Sequence, residues 1–219
     1  MIQALSPIGG QPSLSEIAYQ QIRSAIVSGQ LQSGQRLVYR SVAEELGISP
    51  TPVRDAIQRL VSDGALQADE RGVAYVPIVT PADYIEIINL RLNLEGLAAD
   101  AAAARVDGRE HTAEALAQTH ERLAQCKSEG RIDEALFENE RFHSLFVKAA
   151  GMPVLEELIR SLWLRSGPTV RLLYSGNSNG HNGHPHEQLI QAIQNGDRLK
   201  ARAAVEEDLK TAARHILLQ

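Results

Sequence analysis

Residues 33–66 decide the fold prediction, and they read SGQRLVYRSVAEELGISPTPVRDAIQRLVSDGAL. The stretch 39–46 predicts a short helix, which Gly47 ends in the C-cap position. A second helix is predicted to begin a few residues later and to run to about Ser62, where Asp63-Gly64 stops it. Two short helices joined by a tight turn are typical of a helix-turn-helix, whose second helix can enter the major groove of DNA.

The flanking segments complete a winged helix-turn-helix. A first helix is predicted from about Leu14 to Ser28, because isoleucines recur on one face of it. Two short strands are predicted at 65–67 and 73–78, around the polar turn at 69–72. We therefore predict a mainly α fold whose N-terminal part has three helices plus a two-stranded wing.

From residue 80 onwards the chain shows only helical periodicity, interrupted by glycines and prolines. The predicted helices span residues 82–106, 109–129, 132–150, 152–174, 184–195 and 197–218. They form a C-terminal all-α bundle of about six helices. The predicted organisation is a flexible N-terminal tail at 1–12, a winged helix-turn-helix DNA-binding domain at 13–79, and a helical effector-binding and dimerisation domain at 80–219.

The composition fits a helical protein of a reducing compartment. Of the 219 residues, 43% are hydrophobic and only 4% are aromatic, and the single cysteine, Cys126, cannot form an internal disulfide. The N-terminus lacks a signal-peptide pattern, and no apolar run approaches the length that spans a bilayer. We expect a cytoplasmic protein with no membrane partner.

Net charge does not argue for DNA binding, since the chain carries −5 and its first eighty residues hold six arginines against seven acidic residues. The argument depends instead on where the arginines lie. Ser49, Thr51 and Arg54 stand at the start of the predicted third helix, and either Ser49 or Thr51 can cap it. Hydroxyls and amides at a helix start meet phosphate, and an arginine one turn in reaches a base or a phosphate. For any arginine taken alone, the alternative is a solvated helix face.

The helical half places several polar residues on faces that are otherwise apolar. Buried polar groups cost free energy unless they are paired or bind something, so such residues predict a polar cavity. They are Arg91 with Glu95 one turn later, Asn139 and His143 on one helix face, His186, and Asp208. A single such histidine can also be a satisfied core side chain, and Arg91 with Glu95 can be a structural pair at i, i+4.

The stretch 33–66 resembles the GntR family of bacterial regulators, whose pattern reads roughly PG-x-RL-x-E-x-x-LA-x-x-LGVSRTPVREAL-x-RL-x-x-EGL. The helical remainder resembles the FadR-type C-terminal domain of that family. The resemblance implies a double-stranded DNA operator as partner and assigns DNA contacts to one set of residues. They are Arg36, Ser49, Thr51 and Arg54, with Arg71 and Gly72 at the tip of the wing.

The sequence departs from the family pattern at two places. Pro50 stands where the family usually has an arginine, which removes one expected contact. Tyr39-Arg40 takes the place of a more usual acidic residue, and Arg40 then partly replaces the lost charge. We therefore add Arg40 to the expected DNA contacts and expect an operator preference that differs from that of relatives.

The resemblance also implies a metal site, because many FadR-type domains hold a divalent metal with one Asp and three His. Their first pair is spaced D-x-x-x-H, which NERFH at 139–143 matches with an Asn in the Asp position. The later histidines are spaced twenty-two residues apart, and the second of them is replaced here by an Asp. The implied ligands are Asn139, His143, His186 and Asp208. Such nitrogen and oxygen donors suit Zn, Ni or Mn, and His184 and His215 are rival ligands.

The implied function is a ligand-responsive transcription regulator, favoured as a repressor, that binds a palindromic operator as a homodimer. Arg91 matches an arginine on the first helix of the family's C-terminal domain and suits a small-molecule carboxylate effector, with Glu95 beside it. Two alternatives stay open. One is a metal-free regulator with an apolar effector pocket. The other is a metal-dependent enzyme, which is disfavoured because the chain lacks a nucleophile elbow and a glycine-rich phosphate loop.

Overall fold

The computed structural model describes residues 12–171 and 184–218, which form nine helices and three short strands. The N-terminal elements are α1 (Leu14–Val27), β1 (Arg36–Leu37), α2 (Tyr39–Leu46), α3 (Pro50–Ser62), β2 (Gln67–Ala68) and β3 (Ala74–Tyr75). The C-terminal helices are α4 (Pro81–Ala104), α5 (Arg109–Ser128), α6 (Ile132–Ala149), α7 (Pro153–Val170), α8 (His184–Asn195) and α9 (Arg198–Leu217). The mainly α prediction is confirmed. The tail predicted at 1–12 lies outside the described residues except for its last residue, as do residues 172–174 of the helix predicted at 152–174.

Capping residues delimit the first two N-terminal helices, and Gly47 is the predicted one. The Ser13 side chain accepts a hydrogen bond from the N–H of Glu16 at 3.1 Å and so caps α1. Gly47 ends α2 with a left-handed backbone, φ 65°, which lets the chain turn at once towards α3. The apolar faces of these helices meet in one buried core that includes Ile57 and Leu60 of α3. Burial of this one face leaves the opposite face of α3 in solvent.

The wing contains the two predicted strands, and a third strand joins them. β3 lies in the middle of the sheet and is antiparallel to both β1 and β2. In this register Arg36 of β1 is opposite Tyr75 of β3. The sequence does not predict β1, because two residues are too few to show an alternation and, unlike β2, it is not joined to β3 by a short polar turn.

Six helices form the predicted C-terminal bundle. α4 begins with a capping box, in which Thr80 and Asp83 each accept a hydrogen bond from the backbone N–H of the other. α4 packs along α9, and α6 contacts α4, α5 and α7, so polar residues on the inner face of α6 are enclosed by several helices. No helix within residues 12–171 and 184–218 is both long and apolar enough to cross a bilayer.

Helices α6 and α7 hold the winged helix-turn-helix against the bundle. Leu164 of α7 is 1% exposed and is packed into the N-terminal core rather than the core of its own bundle. Gly167, one turn later, lies so close to α1 that a Cβ added to it would be 2.8 Å from the Cα of Val27. Arg23 of α1 also pairs with Glu140 of α6. The two halves therefore meet through close packing and an ion pair.

Candidate nucleic-acid interface and buried polar site

The start of α3 presents polar side chains to solvent. Ser49, Thr51 and Arg54 are all exposed, whereas Val53 and Ile57 on the other face are fully buried. Ser49 occupies the N-cap position with an extended backbone, but its side chain makes no capping hydrogen bond. The Ser49 hydroxyl is therefore open to a ligand at the helix N-terminus, where amide groups and the helix dipole favour an anion.

The other predicted DNA contacts lie around this helix on exposed positions. Arg40 is exposed on the first turn of α2, and the Arg36 side chain on β1 is 70% exposed and 3.7 Å from Asp69. An ion pair this long and exposed adds little stability, so a phosphate can replace Asp69 at Arg36. Arg71 and Gly72 form the turn between β2 and β3, as predicted for the wing tip. Asp69 Oδ1 accepts the N–H of Arg71 at 2.9 Å, and Gly72 has a φ of 76° that favours glycine.

A buried cluster of charged side chains surrounds Glu95 of α4 in the bundle. Its Oε1 accepts hydrogen bonds from Arg91 Nε at 2.6 Å and from Trp163 Nε1 at 3.1 Å. Its Oε2 lies 2.7 Å from His143 Nδ1. The Arg91 guanidinium also stacks 3.9 Å from the centroid of the Trp163 ring. The i, i+4 pair considered from the sequence is thus formed, and buried charges of both signs compensate each other.

His143 connects this cluster to two further helices. His143 Nε2 is 3.3 Å from Asp208 Oδ2, and His186 Nε2 is 3.6 Å from Asp208 Oδ1. Candidate ligand atoms of the three residues all lie within 4.8 Å of one another. Because Glu95 holds His143 through Nδ1, the Nε2 atom is directed at Asp208. A metal-binding histidine commonly donates the N–H of its other ring nitrogen to a carboxylate, as Nδ1 of His143 is placed to do with Glu95.

The two histidines differ in their tendency to be protonated. Burial lowers the pKa of His186 to about 3 and outweighs the opposite effect of Asp208, so His186 is neutral. Burial alone would also lower the pKa of His143, but the carboxylates of Glu95 and Asp208 raise it to about 9. Burial alone would raise the pKa of Glu95, but Arg91 and His143 lower it. Within the described residues, Nε2 of His186 is buried without a hydrogen-bond partner, which is rare in folded proteins.

The group that His143, His186 and Asp208 form among the described residues does not include the other predicted ligands. Asn139 lies one turn before His143 on α6 and is partly buried, as the D-x-x-x-H spacing requires. His215 of α9 is outside the group of three clustered ligand atoms. The side chain of His184 lies outside the part of the chain that the structure describes.

Two residues of α5 near the cluster are absent from the sequence prediction. The ring of His120 is 5.4 Å from the ring of His186, and its Nδ1 is buried with no hydrogen-bond partner among the described residues. Burial lowers the pKa of Lys127, and Asp208 opposes this, so Lys127 lies within the electrostatic reach of the cluster. The seven-residue spacing of His120 and Lys127 puts both on one face of α5 and could have indicated them.

Two family models match separate parts of the chain. An FCD domain matches residues 86–211, which is more than half of the chain, and the gntR family of bacterial regulatory proteins matches residues 14–76. The first match covers the helices that carry the polar cluster, and the second covers the three N-terminal helices and the wing.

Curated relatives are named transcriptional regulators. The chain is 36% identical over 146 residues to the HTH-type transcriptional regulator McbR of Escherichia coli, a match that covers 67% of the chain and 65% of McbR. It is 27% identical over 192 residues to the gluconate operon transcriptional repressor of Bacillus subtilis, covering 83% of the chain and 76% of that repressor. The uncharacterized HTH-type regulator YdhC of B. subtilis is 31% identical, and 57% of its length is matched.

Solved structures agree over nearly the whole chain. The structure of E. coli McbR/YncC has a TM-score of 0.86 at 27% identity and covers 95% of this chain and 99% of that one. A GntR transcriptional regulator from Rhodococcus sp. RHA1 has a TM-score of 0.76 at 21% identity, with 94% and 98% coverage. At that lower identity the likeness concerns the fold alone.

Proposed function

The chain belongs to the gntR family of bacterial transcription regulators and carries an FCD domain, and from this premise we propose that it is a ligand-responsive repressor. Its relatives are regulators, so the chain is not an enzyme. The observation that carries the proposal is the combination of an exposed helix start at Ser49 with a buried polar cluster around Glu95. The exposed helix start suits DNA, and the buried cluster suits a small molecule.

The proposed operator contact is made by α3 in the major groove. Arg54 reaches a base edge or a phosphate, and the α3 N-terminus with Ser49 and Thr51 receives a backbone phosphate. Arg36 and Arg40 neutralise flanking phosphates, and the wing tip at Arg71-Gly72 reaches the adjacent backbone or minor groove. All six side chains other than glycine are exposed, which supports these roles. Among the described residues, the only ion pair that any of the four arginines makes is the long Arg36–Asp69 contact.

The proposed active form is a homodimer in the cytoplasm. Two copies are needed because one helix-turn-helix reads one half-site, and a symmetric pair of half-sites implies a protein with the same symmetry. We assign residues 13–79 to DNA binding and residues 80–219 to effector binding and dimerisation.

We assign a divalent metal, Zn, Ni or Mn, to His143, His186 and Asp208, with Asn139 as a weaker fourth ligand. The donor set fits, because the unpartnered Nε2 of His186 and Nε2 of His143 both face Asp208. Bound there, the metal would supply positive charge that attracts an anionic effector. His143 would coordinate in its neutral form, with its remaining proton on Nδ1 and donated to Glu95.

The proposed effector is a small carboxylate that pairs with Arg91. The guanidinium is fixed between Glu95 and the Trp163 ring, so its planar fork is already oriented. A carboxylate that takes over one side of Arg91 changes the hydrogen bonds available to Glu95 and Trp163. Binding therefore acts directly on α7.

The proposed signal passes along α7 to the DNA-binding part. Trp163 is hydrogen-bonded to the cluster, while its neighbour Leu164 is buried in the core of the winged helix-turn-helix. A shift of Trp163 by an effector thus moves Leu164 against α1. Helix α7 thus contacts both the effector site and the DNA-binding part. This shared helix is the physical basis of the proposed allosteric coupling.

One observation favours a metal-free version of the same function. The ammonium of Lys127 lies within the electrostatic influence of Asp208 and can supply positive charge where a metal would otherwise sit. In that version a neutral, apolar effector binds within the helical bundle, and the cluster serves only to hold the helices together.

Elemental analysis of the purified protein separates the two versions. The metal proposal expects close to one Zn, Ni or Mn per chain, and a rise in the thermal midpoint when Zn is added to chelator-treated protein. A protein without metal that shows no thermal shift with Zn, Ni or Mn contradicts it.

The DNA-binding proposal is tested by selecting duplexes from a random pool and measuring affinity by fluorescence anisotropy. A symmetric selected site with two chains bound per duplex is the expected result. A site without symmetry, or a 1:1 complex, contradicts the homodimeric reading.

A further inference from the structure

A cleft lies between the winged helix-turn-helix and the bundle, and it shares Trp163 with the polar cluster. Its walls come from α1, α6 and α7, and its volume is about 380 Å³. Clefts of roughly 300–1,000 Å³ at domain boundaries are common small-molecule sites. Because one wall belongs to the DNA-binding part and two belong to the bundle, anything bound there touches both.

The cleft has an apolar lining and cationic side chains around it. Trp163, Ile159 and Leu145 line it, and the Phe137 ring at the cleft is 50% exposed. An aromatic ring left half in water next to buried apolar side chains is the kind of surface that a ligand covers. The apolar lining calls for a ligand with an aromatic or alkyl body.

Four cations and two carboxylates also line the cleft. Two of the cations are compensated, since Arg23 pairs with Glu140 and Arg141 lies 3.7 Å from a carboxylate outside the cleft. Lys148 and Arg160 have no carboxylate within 4 Å in the described parts of the chain. The cleft therefore offers two cations that form no ion pair, and set against Glu156, the other carboxylate of the lining, they leave a net positive charge beside an apolar surface.

We infer that this interdomain cleft is a second ligand site, for an amphipathic carboxylate whose anionic group meets Lys148 and Arg160 and whose apolar body covers Phe137 and Trp163. The two sites share Trp163, which lines the cleft and also donates its Nε1–H to Glu95 in the cluster. A cleft ligand would fix α1 against α6 and α7 and so act on the orientation of the DNA-binding part. The two sites remain chemically distinct, because none of His143, His186 and Asp208 lines the cleft.

The test is calorimetric titration of the full-length protein with 2-naphthoate, and with the neutral 2-naphthamide as the control ligand. Lys148→Gln combined with Arg160→Gln removes the two charges, and Ser144→Phe fills the cleft without removing a charge. Lys200→Gln combined with Arg214→Gln is the matched control, because it removes two exposed charges from α9. Circular dichroism verifies that each variant is folded.

Saturable binding of one 2-naphthoate per chain is expected, with the amide weaker by about tenfold or more because charge-assisted hydrogen bonds are lost. A similar loss is expected for the Lys148/Arg160 double variant and for Ser144→Phe, while the α9 control keeps its affinity. Three results overturn the inference: no saturation at millimolar naphthoate, equal binding of the amide, or undiminished binding by the cleft variants.

Discussion

Replacing Gly167 with alanine tests the contact between α7 and α1. Gly167 lies within a helix, and a Cβ placed on it meets three backbone atoms, Val27 Cα at 2.8 Å, Ile26 O at 3.0 Å and the Ile26 carbonyl carbon at 3.3 Å. Carbon atoms in contact prefer a separation of about 3.5–4.0 Å. Backbone atoms cannot rotate away as a side chain can, so α1 and α7 must separate by roughly 1 Å, judged against that preferred distance.

The expected cost follows from two opposing effects. Overpacking of this kind typically costs about 1–3 kcal/mol, while alanine in place of glycine inside a helix returns about 0.5–1 kcal/mol. Because the atoms that a Cβ meets are backbone atoms, the cost lies in the upper part of its range, about 2–3 kcal/mol. We therefore expect Gly167→Ala to lower the free energy of unfolding by about 1–2.5 kcal/mol, equivalent to roughly 2–10 °C in the thermal midpoint of a protein of this size. Urea titration followed by far-UV circular dichroism measures the first quantity, and calorimetry the second.

Gly96→Ala is the matched control, because Gly96 also lies within a helix and has ordinary backbone angles. A Cβ there meets only two flexible side chains, Arg202 with Cγ at 3.3 Å and Glu206 with Oε1 at 3.6 Å. We expect this variant to be as stable as the parent or more stable, by up to about 1 kcal/mol. Equal behaviour of the two variants, or a Gly167→Ala protein that is not destabilised, would refute the close α1–α7 contact on which the proposed signal depends.

Three further outcomes follow from the two sites. Arg54→Ala should weaken operator binding by about tenfold or more. Arg59→Ala should not, because Arg59 is held by Glu16 at 2.5 Å and stacks over Tyr19. Equal operator affinity of the two variants would show that α3 has been assigned the wrong contacts. His186→Ala should abolish the thermal shift that zinc produces in chelator-treated protein while His215→Ala keeps it, and the opposite pattern would move the ligand from α8 to the end of α9. Asn139→Asp should raise zinc affinity, because a carboxylate oxygen is a stronger donor than an amide oxygen, and calorimetry that finds no gain would exclude residue 139 as a ligand.

Local sequence patterns were sufficient for the helices and for the exposed face of α3. Ser13, Gly47 and the Thr80–Asp83 capping box each act within one turn of the chain, so the residues themselves delimit the elements. The same is true of Asn139 and His143, because spacing along one helix fixes which residues share a face. Strand β1 was not predicted, because its pairing partner β3 lies almost forty residues away along the chain. Its own two residues are also too few to show an alternation of polar and apolar side chains.

The sequence by itself determined a helix-turn-helix with an exposed polar helix start, and it placed six polar residues on the inner faces of four helices. Only the tertiary structure decided that ligand atoms of His143, His186 and Asp208 lie within 4.8 Å of one another. It also decided that the Glu95 carboxylate contacts three donors, and that Trp163 contacts the cluster while Leu164 packs in the N-terminal core. The physical reason is range. Helix formation and capping depend on neighbours a few residues away, whereas the pairing of buried charges and the docking of α7 on α1 depend on distances between segments that the chain brings together only when it folds.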